Sequence, residues 1–246
     1  MNLNFGTFFS GLAVVSALAT PLSHAEIVLH GTRVIYPSDA REVTLQLSNN
    51  GNKPSLVQAW IDDGDAKSTP DQSQVPFMIS PPISRVEAEK GQTLRITALP
   101  TAAQLDQKQE TIFWLNVIDI PPKPSAKDGA AVPENFVQLA IRSRIKFFYR
   151  PAAIKTDLST AVKQLQWRQS GAQLVINNPS PMHITMISIF QNQRNIDKPV
   201  DLLPQGLMIK PFSEEKVDLK GQDMNSMQFV YINDFGGRIE HAIKLQ

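Results

Sequence analysis

The stretch FVQLAIRSRIKFFYRP, Phe136 to Pro151, decides how this chain reads. Val137, Leu139, Ile141, Ile145, Phe147 and Tyr149 fall on one parity, and Gln138, Arg142, Arg144 and Lys146 on the other. A period of two in β-branched and aromatic residues predicts a half-buried β-strand. The run exceeds the usual strand of about 5–6 residues, and Arg142, Arg144, Lys146 and Arg150 make it strongly cationic. A long edge strand with an apolar face invites pairing by another chain. The expectation is that such pairing is its purpose.

On the N-terminal side, strands are expected over Glu26–Pro37, Arg41–Ser48, Ser55–Asp62, Val75–Ile79, Gly91–Leu99 and Thr111–Ile120, with one helical turn within Thr101–Gln109. Asn49-Asn50-Gly51-Asn52, Pro81-Pro82 and Pro121-Pro122 punctuate them. On the C-terminal side the same grammar continues at Ala161–Arg168, Ala172–Asn177, His183–Gln191, Ser213–Leu219, Met227–Asn233 and Arg238–Leu245. Short alternating strands separated by turns are the pattern of an all-β sandwich or barrel. Proline fixes φ and has no N–H, so Pro151 is the expected boundary between two domains.

Composition narrows the function. The 246 residues contain 24 Lys and Arg against 23 Asp and Glu, a balance that argues against nucleic acid as a partner. There is no cysteine, hence no disulfide and no thiolate chemistry. Leu12–Ala19 is a short apolar run, and Ser23-His24-Ala25 resembles a small-x-small cleavage site, so residues 1–25 read as a secretory signal peptide although Met1–Ser10 has no Lys or Arg. No other segment approaches the ~20 apolar residues of a membrane span. Beyond the signal, His30, His183 and His241 lie far apart, with no zinc motif, phosphate loop, dinucleotide fingerprint or nucleophile elbow. Asp62, Asp63 and Asp65 are expected in a solvated turn, with a calcium site as the lesser alternative. Neither metal, cofactor nor nucleotide is expected, and no catalytic residue is assigned.

Six stretches together carry a family resemblance: GTRVIYP at Gly31–Pro37, NNGNKPSLVQAW at Asn49–Trp60, PPISRVE at Pro81–Glu87, ETIFWLNVIDIPP at Glu110–Pro122, IKFFYRP at Ile145–Pro151 and YINDFGG at Tyr231–Gly237. In this order and over nearly the whole chain they resemble the PapD-like periplasmic chaperones of the chaperone–usher pilus pathway. The resemblance implies two immunoglobulin-like β-sandwiches in a boomerang with an inter-domain cleft, divided as 26–151 and 152–246. It implies a non-enzymatic chaperone that lends a strand to a pilin subunit and delivers it to an outer-membrane usher. Arg33 and Lys146 match the cations that hold the pilin C-terminal carboxylate. Val137, Leu139 and Ile141 match the apolar side chains inserted into the pilin. Glu110, Arg150 and Asp234 match an inter-domain ion cluster.

Two departures from the family pattern are Lys108, where a small polar residue is usual, and Ala88, in place of a proline. The 123–135 loop favours the class that builds rod-like pili and leaves the thin-fibre class open. Strict alternation also sets Lys146 on the face opposite Val137, Leu139 and Ile141, so either a bulge between Ile141 and Lys146 or a sideways reach is expected. Two other readings compete: a secreted two-domain immunoglobulin-like adhesion or binding module, and an enzyme on a β-sandwich with a perturbed acid or base in a polar pocket.

Overall fold

A computed structural model describes residues 26–123, 137–191, 200–222 and 226–244. The expected signal peptide, the loop before the organising strand and Phe136 lie outside the described residues. The first domain contains β1 (Ile27–Leu29), β2 (Arg33–Pro37), β3 (Val43–Asn49), β4 (Ser55–Asp62), β5 (Phe77–Ser80), β6 (Ile83–Val86), β7 (Gly91–Ala98), β8 (Thr111–Ile120) and β9 (Ile141–Arg150). One sheet has the order β1-β3-β7-β5 and the other β2-β9-β8-β4-β6. β2 and β9 run parallel, whereas the other pairs are antiparallel. The inner faces meet over Phe77, Phe113, Phe147, Tyr36 and Tyr149, whose rings lie as close as 4.7 Å between Phe77 and Phe147. Tyr36 is buried yet satisfied, because its hydroxyl accepts from Ala98 N and donates to the Ala40 carbonyl.

The second domain contains α1 (Leu158–Lys163), β10 (Gln166–Ser170), β11 (Gln173–Asn178), β12 (Ile184–Gln191), β13 (Leu207–Ile209), β14 (Ser213–Asp218), β15 (Met227–Ile232) and β16 (Arg238–Ala242). Its sheets are β10-β11-β14 and β13-β12-β15-β16. They enclose a separate core that includes Trp167, Ile176, Met186, Ile189 and Phe229. The architecture is thus all-β, two sandwiches with a core each. No helix among the described residues is long and apolar enough to cross a membrane.

A buried asparagine bracket recurs in both halves. Asn49 Nδ2 donates to the carbonyls of Lys53 and Val86, and its Oδ1 accepts from Gly51 N. Asn178 Nδ2 donates to Met182 and Lys210, and its Oδ1 accepts from Ser180 N. In each case one side chain ends a strand, closes the following turn and ties it to a distant segment, β6 for Asn49 and the β13–β14 connection for Asn178.

Several expectations need correction. The predicted strand Glu26–Pro37 is two strands in different sheets, because the chain crosses the sandwich at residues 30–32. The predicted strand Ala161–Arg168 begins as α1: Asp157 Oδ1 caps it by accepting from Thr160 N at 2.7 Å, and Leu158, Ala161, Val162 and Leu165 bury one helical face. Strands β6 and β13 had no expectation of their own. The organising strand starts at Ile141, with residues 137–140 outside any strand. Its partner β8 ends at Ile120, and Pro121 and Pro122 have no N–H with which to continue the ladder. Asp62 is no solvated turn residue. It closes β4 and is 2% exposed.

Candidate strand-capture site and cation cleft

β9 is held unequally along its length. Against β8 it pairs without interruption from Asp119↔Ile141 to Thr111↔Tyr149. Against β2 it pairs only from Arg33↔Lys146 to Pro37↔Arg150. Among the described residues, 141–145 therefore have one neighbouring strand and one open edge. Leading into that edge, Val137 and Leu139 are 85% and 70% exposed, and Ile141, its first residue, is 44% exposed. Large apolar side chains left in water beside unpaired backbone groups make the edge a template for another strand.

The continuous β8 register excludes a bulge between Ile141 and Lys146. Phe147 and Tyr149 point into the core, and Ile141 shares their parity. Arg142, Arg144, Lys146, Phe148 and Arg150 take the opposite, outer face of the sheet. That face meets the second domain. The apolar residues and Lys146 thus remain on opposite parities, and the cation reaches the cleft because the cleft lies on the outer face.

Parallel pairing places Arg33 and Lys146 directly beside each other. Both line a cleft of about 280 Å³ with Thr32, Trp114, Arg144, Ile145, Ile232, Gly236 and Arg238. Each also touches the second domain: Lys146 Nζ donates to Thr185 Oγ1 at 3.1 Å, and Arg33 Nη1 to the Ile232 carbonyl at 3.2 Å. Arg33 Nε is buried with no hydrogen-bond partner among the described residues. Burial, together with the adjacent Arg33 charge, pushes the Lys146 ammonium down to about 8. Burial likewise lowers Arg33, partly countered by Asp234 and Glu110. Two adjacent, half-desolvated cations with unused donors suit a carboxylate, which accepts several charge-assisted bonds at once.

Glu110, Arg150 and Asp234 are brought together at the junction of the sandwiches. Arg150 Nε donates to Glu110 Oε1 at 2.7 Å, and its two terminal nitrogens donate to the Asp234 carboxylate at 2.7 and 2.8 Å. Burial pulls the Arg150 guanidinium down, and the hydrogen bonds and charges of Asp234 and Glu110 more than reverse this. Glu110 also spans the junction through its Oε2, which accepts from His183 N at 2.8 Å, and its own N–H, which donates to the Pro181 carbonyl at 2.9 Å. His183 Nδ1 lies 3.5 Å from the same carboxylate. Neither His183 nor Thr185 was expected here. They follow the Asn178–Pro181 turn, and nothing in their local pattern announces a role across the interface.

A second cluster escaped the sequence reading. Asp62 accepts from Arg144 Nη2 at 2.5 Å, Asn116 Nδ2 at 2.7 Å and Gly64 N at 2.8 Å. Asn116 Oδ1 accepts from Arg142 Nε and Nη2 at 3.0 and 2.6 Å. Arg142 stacks over Trp60 at 4.7 Å and Arg144 over Trp114 at 4.2 Å. A signal existed, since Trp60, Asp62, Trp114 and Asn116 share the non-core parity of their strands.

Two immunoglobulin-like sandwiches, with an open strand edge and a cation-lined cleft between them, define the class of two-domain assembly chaperones. Comparison with known proteins makes the assignment specific. The family described as pili and flagellar-assembly chaperone, PapD N-terminal domain, matches residues 26–155, and that described as pili assembly chaperone PapD, C-terminal domain, matches residues 160–243. The chaperone protein FimB/FhaD of Bordetella pertussis is 40% identical over 232 residues, covering 92% of this chain and 91% of its own. Among solved structures, the Pseudomonas aeruginosa CupB2 chaperone is 34% identical with a TM-score of 0.74, covering 89% of this chain and 100% of its own. The Salmonella enterica SafB chaperone, solved in complex with the SafA pilin, is 27% identical with a TM-score of 0.71, covering 88% and 96%. This chain belongs to the PapD family of pilus-assembly chaperones.

Proposed function

We propose that the chain is a periplasmic, non-catalytic chaperone that captures a pilin subunit by donating β9 and the residues before it, then hands the subunit to an outer-membrane usher. One observation carries this reading: the open edge of β9 runs directly into the Arg33–Lys146 pair. In this mechanism Arg33 and Lys146 grip the pilin's terminal carboxylate and so set the register of the added strand. Val137, Leu139 and Ile141 then enter the groove of the incomplete pilin sandwich. Glu110, Arg150 and Asp234 hold the angle between a capture domain at 26–151 and a second domain at 152–246, after removal of residues 1–25. The SafB–SafA complex supports a pilin as the partner, since SafB shares this fold. Neither cofactor nor nucleotide enters any step.

Co-expression in the periplasm tests the reading. Wild type should co-purify with one stoichiometric pilin, and the Arg33→Ala, Lys146→Ala double variant should remain folded and lose it. Equal recovery of pilin by both proteins would overturn the carboxylate grip.

A further inference from the structure

The outer face of the β2-β9-β8-β4 sheet is organised in cross-strand rows. Asp62, Trp114, Lys146 and Arg33 form one row across four strands. Trp60, Asn116 and Arg144 form the next, which stops at β9 because β2 begins only at Arg33. The cation pair thus ends a row that starts at Asp62. Beside the same row lies the stretch of β9 with no second neighbour among the described residues.

That stretch has little else to hold it. On its inner side Ile141 is exposed, and Ser143 and Ile145 are only half-buried, whereas Phe147 and Tyr149 farther along are buried. A one-sided strand with a weakly buried inner face should open locally at low cost. Its outer side supplies the missing fastening. Asp62 binds the Arg144 guanidinium through both carboxylate oxygens. It also fixes Asn116, whose Oδ1 receives two donors from Arg142. Arg142 Nη1 donates further to the Ala66 carbonyl at 2.8 Å, so the turn after β4 covers the cluster. Each guanidinium lies over a tryptophan ring, a contact that a lysine ammonium makes without the planar, multi-donor geometry. Burial pushes the Asp62 carboxyl up, and the donors from Arg144, Asn116 and Gly64 pull it further down, so the hub stays ionised.

We propose that Asp62 is a positioning residue for strand capture: by fixing Arg144 and, through Asn116, Arg142, it holds residues 141–145 straight as a finished edge. This rests on the reading of β9 as the strand that pairs with the pilin. A pre-ordered edge spares the encounter the entropy of ordering a strand. The benefit therefore falls on the rate of association, since binding slows when it must wait for a conformational change. The cluster also keeps Arg144, which lines the cleft, engaged with Asp62 and away from the carboxylate grip.

Native-state hydrogen exchange and capture kinetics on the full chain test this, using Asp62→Asn and Arg144→Lys. In both variants the amides of 141–145 that bond to β8 should exchange at least about tenfold faster, with those of 147–149 unchanged. Association with a denatured recombinant pilin that wild type captures should slow by about tenfold at about 0.3 M salt, where steering by a released arginine is screened. Dissociation should change by less than about threefold. Should Asp62→Asn fail to fold, Arg144→Lys alone gives the readout, because it keeps Asp62 and Asn116 and loses the two-oxygen grip on the guanidinium. Unchanged protection at 141–145 would overturn the proposal. So would a uniform loss across 141–149 in step with the melting temperature, which would make Asp62 a general stabiliser. If wild type captures no pilin, the proposed function fails while the exchange experiment still decides the role of Asp62.

Discussion

Raising the pH should weaken pilin capture through Lys146. Its ammonium is pushed from 10.5 to about 8 by burial and by the neighbouring Arg33. A bound carboxylate favours the charged form, offsets the shift and returns the group toward its ordinary value. Between those two values binding takes up a proton, and affinity falls by about one decade per pH unit. From pH 7 to pH 9 the Kd should rise about tenfold, and by pH 9.5 about thirtyfold. Stability moves the other way. The folded-state pKa lies below the unfolded one, so the unfolded chain holds more protons between about 8 and 10.5 and the free chaperone gains stability as pH rises through that window. Full burial would make the gain about 3 kcal/mol, and the partial exposure of Lys146 reduces it to about 1–2 kcal/mol. Fluorescence anisotropy with a labelled pilin C-terminal segment, alongside urea melts across the same pH range, measures both. Lys146→Arg should flatten the binding profile, because a guanidinium stays charged throughout. A wild-type affinity that is level from pH 7 to 9.5, or an equal slope in Lys146→Arg, would refute the reasoning.

Asp234→Ala removes one of the two carboxylates on Arg150, itself partly exposed, and should cost about 1–3 kcal/mol, between the exposed and buried limits; small-angle scattering should show a looser domain angle. Leu139→Glu should leave the free protein's unfolding free energy within about 0.5 kcal/mol of wild type and abolish capture, because an exposed residue becomes a buried, unpaired carboxylate in the complex; outright unfolding would show that Leu139 belongs to the core. Amidating the pilin C-terminus should weaken binding by roughly ten- to a few-hundred-fold and add little in Lys146→Ala, a non-additivity read from a double-mutant cycle. Asn178→Ala should destabilise the second domain by about 1–3 kcal/mol, since the buried Met182 carbonyl loses its side-chain donor while the Lys210 carbonyl keeps Ser213 Oγ, and chemical denaturation of the chain measures it.

The all-β architecture was legible because half-buried strands print their period directly onto the sequence, as in Val43–Asn49 and Thr111–Ile120. Arg33, Lys146, Glu110, Arg150 and Asp234 were named from a family likeness, and their meeting depends on pairings that alternation does not encode. The parallel match of Arg33 with Lys146 and the reach of Asp234 to Arg150 join segments far apart in the chain. Residues 137–140 keep the alternation of a strand without its hydrogen bonds, because what ends the ladder is the proline pair on the neighbouring strand. Asp62 was misread for a related reason. Three nearby carboxylates look like a turn until the arginines of β9, two strands away on the same face of the sheet, reach Asp62.

The parity that set Lys146 against the apolar residues also has a physical resolution. A donated strand has two faces and, in the proposed mechanism, two tasks. The face that carries Ile141 continues the line of Phe147 and Tyr149, so a partner's core extends the chaperone's own core. The other face carries Lys146 beside Arg33, where the second domain closes the cleft through Thr185 and Ile232. A bulge would have brought both sets to one face. It would also have broken the hydrogen-bonded register that β8 keeps from Ile141 to Tyr149. An uninterrupted strand keeps the apolar contacts and the terminal anchor at a fixed spacing, so a carboxylate seated at Arg33 and Lys146 fixes which partner residue meets each apolar side chain.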